Sequence, residues 1–166
     1  MQHIFFTTIS EIMEKNVKHY TETIYYEMEQ TGKIMKLLAT QFFNKLGIGL
    51  MPGEYIALDV IACNENICQR DLAKLILKDR ATTGRLVESL EKKGFVSRSV
   101  DTKNNRLVRN LSVTKDGYKI IKDITNEIKR RLEGTGNIIS ETEIATLKDG
   151  IRTFRAGLEK LIELKI

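Results

Sequence analysis

One proline, no tryptophan, two cysteines and two histidines in 166 residues exclude much before any motif is sought. With so little proline and only 11 glycines there is no room for Pro- or Gly-rich linkers or many tight turns, so the composition favours helices. Cys63 and Cys68 cannot build a disulfide framework, and with the distant His3 and His19 they make no convincing zinc site. Neither a metal nor a cofactor is expected. No stretch approaches the roughly 18 uncharged apolar residues of a membrane span, and Ile4 to Phe6 is short and lacks the cationic lead of a signal peptide. A cytoplasmic protein without membrane contact follows as an expectation. Enzyme signatures are missing too: there is no HExxH, no GxxxxGKS/T and no GxGxxG, so the chain reads as a non-enzyme.

The charge is unevenly spread. Net charge is +5, yet Gln69 to Lys115 alone holds twelve basic against five acidic residues, or +7, leaving the remainder at −2. Excess charge concentrated in less than a third of the chain is the footprint of a nucleic-acid contact surface.

Apolar residues recur in steps of three and four from Ile9 to Leu46, which predicts one long amphipathic helix or two with a break near the N-terminus. Gly47 and Gly49 stop it, and Pro52 sits at a first helical position, opening a helix over about Gly53 to Asn64. A turn at Asn64-Glu65-Asn66 precedes a short helix from Gln69 to Leu77, and another helix runs from about Ala81 to Lys93, where Gly94 ends it. Two β-prone segments, Phe95 to Ser99 and Leu107 to Val113, then flank the turn-rich run Asp101 to Asn105, predicting a hairpin with a basic tip. Thr114 is placed to cap a helix from Lys115 to about Glu133, which Gly134 and Gly136 break. Ser140 and Glu143 form a capping-box pattern ahead of a last helix whose stripe runs from Ile144 to Ile162.

Helix, short helix, turn, helix and basic hairpin is the order of a winged helix-turn-helix, in which the second helix of the helix-turn-helix enters the DNA major groove. The candidate reading helix starts Lys78-Asp79-Arg80-Ala81-Thr82-Thr83-Gly84-Arg85. Small and hydroxyl residues there allow close approach to base edges, Arg80 and Arg85 can reach phosphate or guanine, and a helix N-terminus favours an anion.

The ordered stretches Asp71-Leu72-Ala73, Arg85-Leu86-Val87-Glu88-Ser89-Leu90-Glu91-Lys92-Lys93-Gly94-Phe95-Val96, then Arg98, Asp101 and Asn105-Arg106, and finally Leu111-Ser112-Val113-Thr114-Lys115-Asp116-Gly117 resemble the MarR family (multiple antibiotic resistance regulators) of bacterial transcription factors. With the lengths of the flanking helices, the resemblance covers nearly the whole chain. It implies a mainly α fold with a small β-hairpin wing, and a homodimer. Residues 1–48 and 116–166 would supply the dimerisation helices, and 49–115 the winged helix-turn-helix lobe. It also implies a pseudo-palindromic double-stranded DNA operator, most simply a repressed one, and regulation by a small-molecule effector or by oxidation. On this resemblance Arg80, Thr82, Thr83 and Arg85 face the major groove and Arg106 the minor groove, while Lys78, Arg98, Lys103 and Arg109 meet phosphates. Two departures stand out. The wing reads Asn105-Arg106-Leu107 where the family usually has Asp-Arg-Arg, leaving Asp101 to orient the arginine, and Met51 precedes Pro52 where a capping Ser or Thr is common.

Two further expectations concern regulation. Cys68 sits ahead of the helix at Gln69, where amide dipoles and Arg70 favour a thiolate, so it is the candidate redox site, whereas Cys63 reads as a small buried hydrophobe. The family's peroxide sensors, however, usually carry their cysteine on the first long helix, which has none here. Tyr25, Tyr26, Phe42, Phe43 and Tyr55 are the candidate lining of an effector pocket, or else plain core. A competing reading is a dimeric winged-helix adaptor whose basic face binds an acidic protein.

Overall fold

The structure is a computed structural model and describes residues 19–103, 106–134 and 140–160, with side chains outside 101–108 and 132–139. The chain divides into two compact units, Met1–Pro52 and Gly53–Ile166.

In the first unit a 3-10 turn at Tyr20–Glu22 leads into helix α1, Ile24–Leu46. Thr23 is its N-cap: the Oγ1 accepts from the Tyr26 amide at 3.2 Å and donates to the Tyr20 carbonyl at 2.6 Å. The long predicted helix therefore has a break here, at a β-region residue whose side chain satisfies an orphan helix amide. Its Ile9 to Val17 part lies outside the described residues. Gly47, at φ +63, ends α1 in the left-handed conformation that glycine adopts without steric cost.

The second unit holds α2 (Pro52–Ala62), β1 (Ile67–Cys68), α3 (Gln69–Leu75), α4 (Arg80–Lys92), β2 (Val96–Lys103), β3 (Arg106–Val113), α5 (Lys115–Gly134) and α6 (Glu141–Glu159). The strands form one antiparallel sheet in the order β1-β3-β2. Strand β1 is a departure from the sequence reading. It is two residues long, and its pairing of Ile67 with Leu111 and Cys68 with Asn110 is made by a partner over 40 residues away, not by local propensity. The hairpin arms also run further than predicted. The polar residues Asp101 to Lys103 continue the ladder against Arg106 to Val108, because main-chain pairing at a solvent-facing hairpin does not require apolar side chains.

The lobe core is Leu58, Leu72, Val87, Leu90, Leu111 and Ile124, all essentially inaccessible, with Ala57 and Ala73 permitting close helix approach. Its base is pinned at the junction of wing and α5. The Thr114 Oγ1 donates to the Gly94 carbonyl at 2.6 Å and accepts from the Gly117 amide at 3.1 Å, and the Thr114 amide donates to the Phe95 carbonyl at 3.0 Å. Gly117 is required by space, since a Cβ there would lie 2.3 Å from the Phe95 carbonyl oxygen. The predicted capping box of α6 is present, with the Ser140 Oγ accepting from the Glu143 amide and the Glu143 carboxylate accepting from the Ser140 amide. The predicted break at Gly136 and the end of the last stripe, Leu161 and Ile162, lie outside the described residues.

Helices α3 and α4 both end in a Schellman motif. At α4, the Phe95 amide reaches the Leu90 carbonyl and the Gly94 amide the Glu91 carbonyl, with Gly94 at φ +76. At α3, the Lys78 amide reaches the Ala73 carbonyl and the Leu77 amide the Lys74 carbonyl, and the left-handed residue is Leu77 at φ +52. A side chain in that conformation costs about 1–2 kcal/mol relative to glycine.

Candidate nucleic-acid interface

Helix α4 is held from below by a charged cluster that sequence reasoning did not find. Glu54, on α2 and 5% exposed, accepts from the Lys93 Nζ at 2.6 Å through both carboxylate oxygens, and from the Ser89 hydroxyl. Lys93 thus neutralises a buried acid, and its charge does not belong to the surface excess. From the other side, Gln69 at the start of α3 donates to the Arg80 carbonyl at 3.4 Å, and its amide nitrogen would lie 3.1 Å from a Cβ at Gly84. The small residue at Gly84 lets the two helices of the helix-turn-helix meet.

The first turn of α4 is capped by Asp79, whose carboxylate accepts from the Thr82 amide and the Thr82 hydroxyl, both at 2.7 Å. Those bonds, the amide's first, hold the Asp79 carboxyl below its usual range. The expectation that this helix N-terminus seats an external anion is therefore corrected: the chain's own carboxylate occupies it. Thr82 is half-buried and its hydroxyl proton is already committed. Thr83 requires a second correction. It is completely buried and donates to the Asp79 carbonyl at 2.9 Å, so it belongs to the stripe of Val87 and Leu90 and cannot face a groove.

What α4 does present is cationic. Lys78, Arg80 and Arg85 are exposed, and their side chains have no hydrogen-bond or ion-pair partner among the described residues; the same holds for Arg109 on β3. Arg98 differs from expectation, because its guanidinium pairs with Glu91 of α4 at 3.3 Å. It ties the wing to α4 instead of standing free for a phosphate. In the wing, Lys103 and Arg106 form the last backbone pair before the tip. Their side chains, and that of Asp101, lie outside the described ones.

This geometry coincides with what comparison with known proteins finds. Residues 50–108 match the model of the MarR family. The HTH-type transcriptional regulator YybA of Bacillus subtilis is 27% identical over 113 residues, 68% of this chain and 75% of that protein. The crystal structure of the transcriptional regulator SlyA superposes with a TM-score of 0.68 at 26% identity, covering 82% of this chain and 94% of SlyA. Over residues 50–108 the chain is similar to the MarR family. A Staphylococcus aureus MepR–DNA complex shares the fold at a TM-score of 0.67 and 21% identity, over 84% of this chain and 99% of that one.

The regulatory expectations meet contrary geometry. The Cys68 Sγ donates to the Asp71 Oδ2 at 3.1 Å, and the nearby Arg70 guanidinium points to the other oxygen of the same carboxylate at 3.2 Å. Hydrogen bonds from Cys68 and then Arg70 hold the Asp71 carboxyl below its usual range. A thiol committed as donor to a carboxylate is the opposite of the cation-flanked setting of reactive thiolates. Cys63 is exposed, not buried. Within α1 the candidate effector-pocket residues fall into two groups. Tyr25 and Tyr26 lie near one end of α1 and Phe42 and Phe43 near the other, roughly 25 Å away along a single helix. Tyr26 packs edge-on against Tyr20 and Phe42 against Phe43, while the Tyr55 hydroxyl lies 3.3 Å from the Thr125 hydroxyl in the lobe. No group of three or more His, Cys, Asp or Glu suited to a metal occurs among the described residues.

Proposed function

We propose that the protein is a homodimeric, cytoplasmic transcriptional regulator that binds a pseudo-palindromic duplex operator, most simply repressing by covering a promoter. One observation carries the reading: the turn into α4 and its first two turns expose Lys78, Arg80 and Arg85 without partners among the described residues, while Lys93 and Arg98 of the same basic segment are taken up by Glu54 and Glu91. Free cations thus collect at the N-terminal end of α4, the end that a winged helix-turn-helix directs to the major groove. The solved DNA complex of MepR supports the same assignment by likeness of fold. In this reading Arg80 and Arg85 contact bases or phosphates, Thr82 approaches through its methyl group, Lys78, Lys103 and Arg109 contact phosphates, and Arg106 enters the minor groove.

Dimerisation draws support from apolar surface outside the lobe core. On α1, Ile34, Met35, Leu37 and Leu38 are 58–64% exposed, and on α6 Ile144 and Leu147 are about half exposed. Apolar area of this kind, clustered on terminal helices, is removed from water by a second copy. The reading also includes a small-molecule effector that shifts operator affinity.

Selection from a randomised duplex library tests the proposal. The expected product is a site with two-fold-related halves about 34–36 Å apart. A library that stays unenriched, together with capture of an acidic protein by the basic face, would replace this reading with the adaptor.

A further inference from the structure

The two Schellman motifs bracketing α4 solve the same backbone problem with different residues, Gly94 at one end and Leu77 at the other. Glycine or asparagine ordinarily fills that position, because a Cβ crowds the following carbonyl. Leu77 recovers little from packing within the chain, since it is 61% exposed. Its neighbour Leu75 is 55% exposed. A bulky apolar side chain is thus held in a strained conformation, facing water, two residues ahead of the Asp79 cap of α4. Around it stand the exposed cations Lys74, Lys78 and Arg80. Glycine would close the same two hydrogen bonds without the strain, so an exposed leucine there points to a contact its side chain makes outside the chain. The cations identify its chemistry: a polyanion that also offers an apolar feature. The major groove of duplex DNA does so, at the C5-methyl group of thymine.

We propose that Leu77 is a specificity-determining DNA contact that packs against a thymine methyl at the edge of the major groove where α4 enters. The inference rests on the DNA-binding reading above and adds a base preference at one position per half-site.

The test uses the full-length protein and the duplex enriched by selection. Each thymine in turn is replaced by 2′-deoxyuridine, which removes only the methyl group. For the wild type, one substitution per half-site lowers affinity about fourfold, the worth of one buried methyl. Leu77→Asn and Leu77→Gly both fit the left-handed backbone, so their melting temperatures equal or exceed the wild-type value. Both variants bind the thymine duplex more weakly and no longer distinguish it from the deoxyuridine duplex. Loss of that discrimination is a readout that altered turn stiffness alone does not produce. If either variant keeps the full thymine preference, or no thymine is sensitive in the wild type, the proposal is overturned. Arg85→Ala separates the two levels: weakened binding by this variant alongside an unaffected Leu77→Asn refutes only the Leu77 contact. Unaffected binding by both, or a library without an enriched site, overturns the DNA reading and the Leu77 contact together.

Discussion

At the scale of single residues, the interface is defined as much by the groups withdrawn from it as by those left on it. Thr83 has the composition of a base-reading residue but the burial of a core residue. Thr83→Val, which keeps its shape, is therefore expected to leave operator affinity unchanged, whereas Arg85→Ala weakens it; titration of both variants on one duplex checks this. The spacing of Thr83, Val87 and Leu90, four and then three residues apart, already contained that information. The pairing of Lys93 with Glu54 did not show in the sequence, because two charges 39 residues apart meet only once α2 and α4 pack. Removing one partner of such a pair strands a buried charge, so Lys93→Met should destabilise the lobe by about 3 kcal/mol, read by denaturant unfolding. Gly117→Ala is expected to cost about 2 kcal/mol or more, since the new methyl meets a main-chain oxygen that cannot rotate away.

At the scale of elements, residues that end or cap a helix were the most legible. Pro52, Gly94, Thr114 and Ser140 stand at boundaries where the sequence places them, each through a local backbone rule. Strand β1 and the full length of the hairpin were not legible, because they depend on β3 supplying a ladder partner. Nor was Leu77's role as a helix terminator, for a leucine carries no stop signal. The tie between Glu91 and Arg98 likewise emerges only when wing and helix are both built. Helix α5 carries a pH-sensitive element. Hydrogen bonds from Arg130 and then Arg131 lower the Glu127 carboxyl from 4.5 to about 2. A carboxyl depressed by folding contributes stability that is fully present above its ordinary value and is lost as pH falls through the folded value. Thermal melts of the wild type should therefore fall between pH 4.5 and about 2, and Glu127→Gln should flatten that part of the profile. An unchanged profile would show that the pair does not hold in solution.

At the scale of the whole molecule, the modest net charge conceals a basic lobe whose free cations converge on α4 and the wing. With Lys78, Arg80, Arg85, Lys103 and Arg109 each meeting one phosphate in both protomers of the proposed dimer, the logarithm of affinity should fall with the logarithm of salt concentration at a slope of about −9. The measurement that bears most directly on this account is fluorescence anisotropy of the selected duplex against a scrambled one across a salt series, for the wild type and for Arg85→Ala. The account predicts a preference of about 10³ or more for the selected duplex. It also predicts that Arg85→Ala makes the slope shallower by about 2, one contact per protomer. Equal affinity for both duplexes, with a slope that Arg85→Ala leaves unchanged, would contradict it.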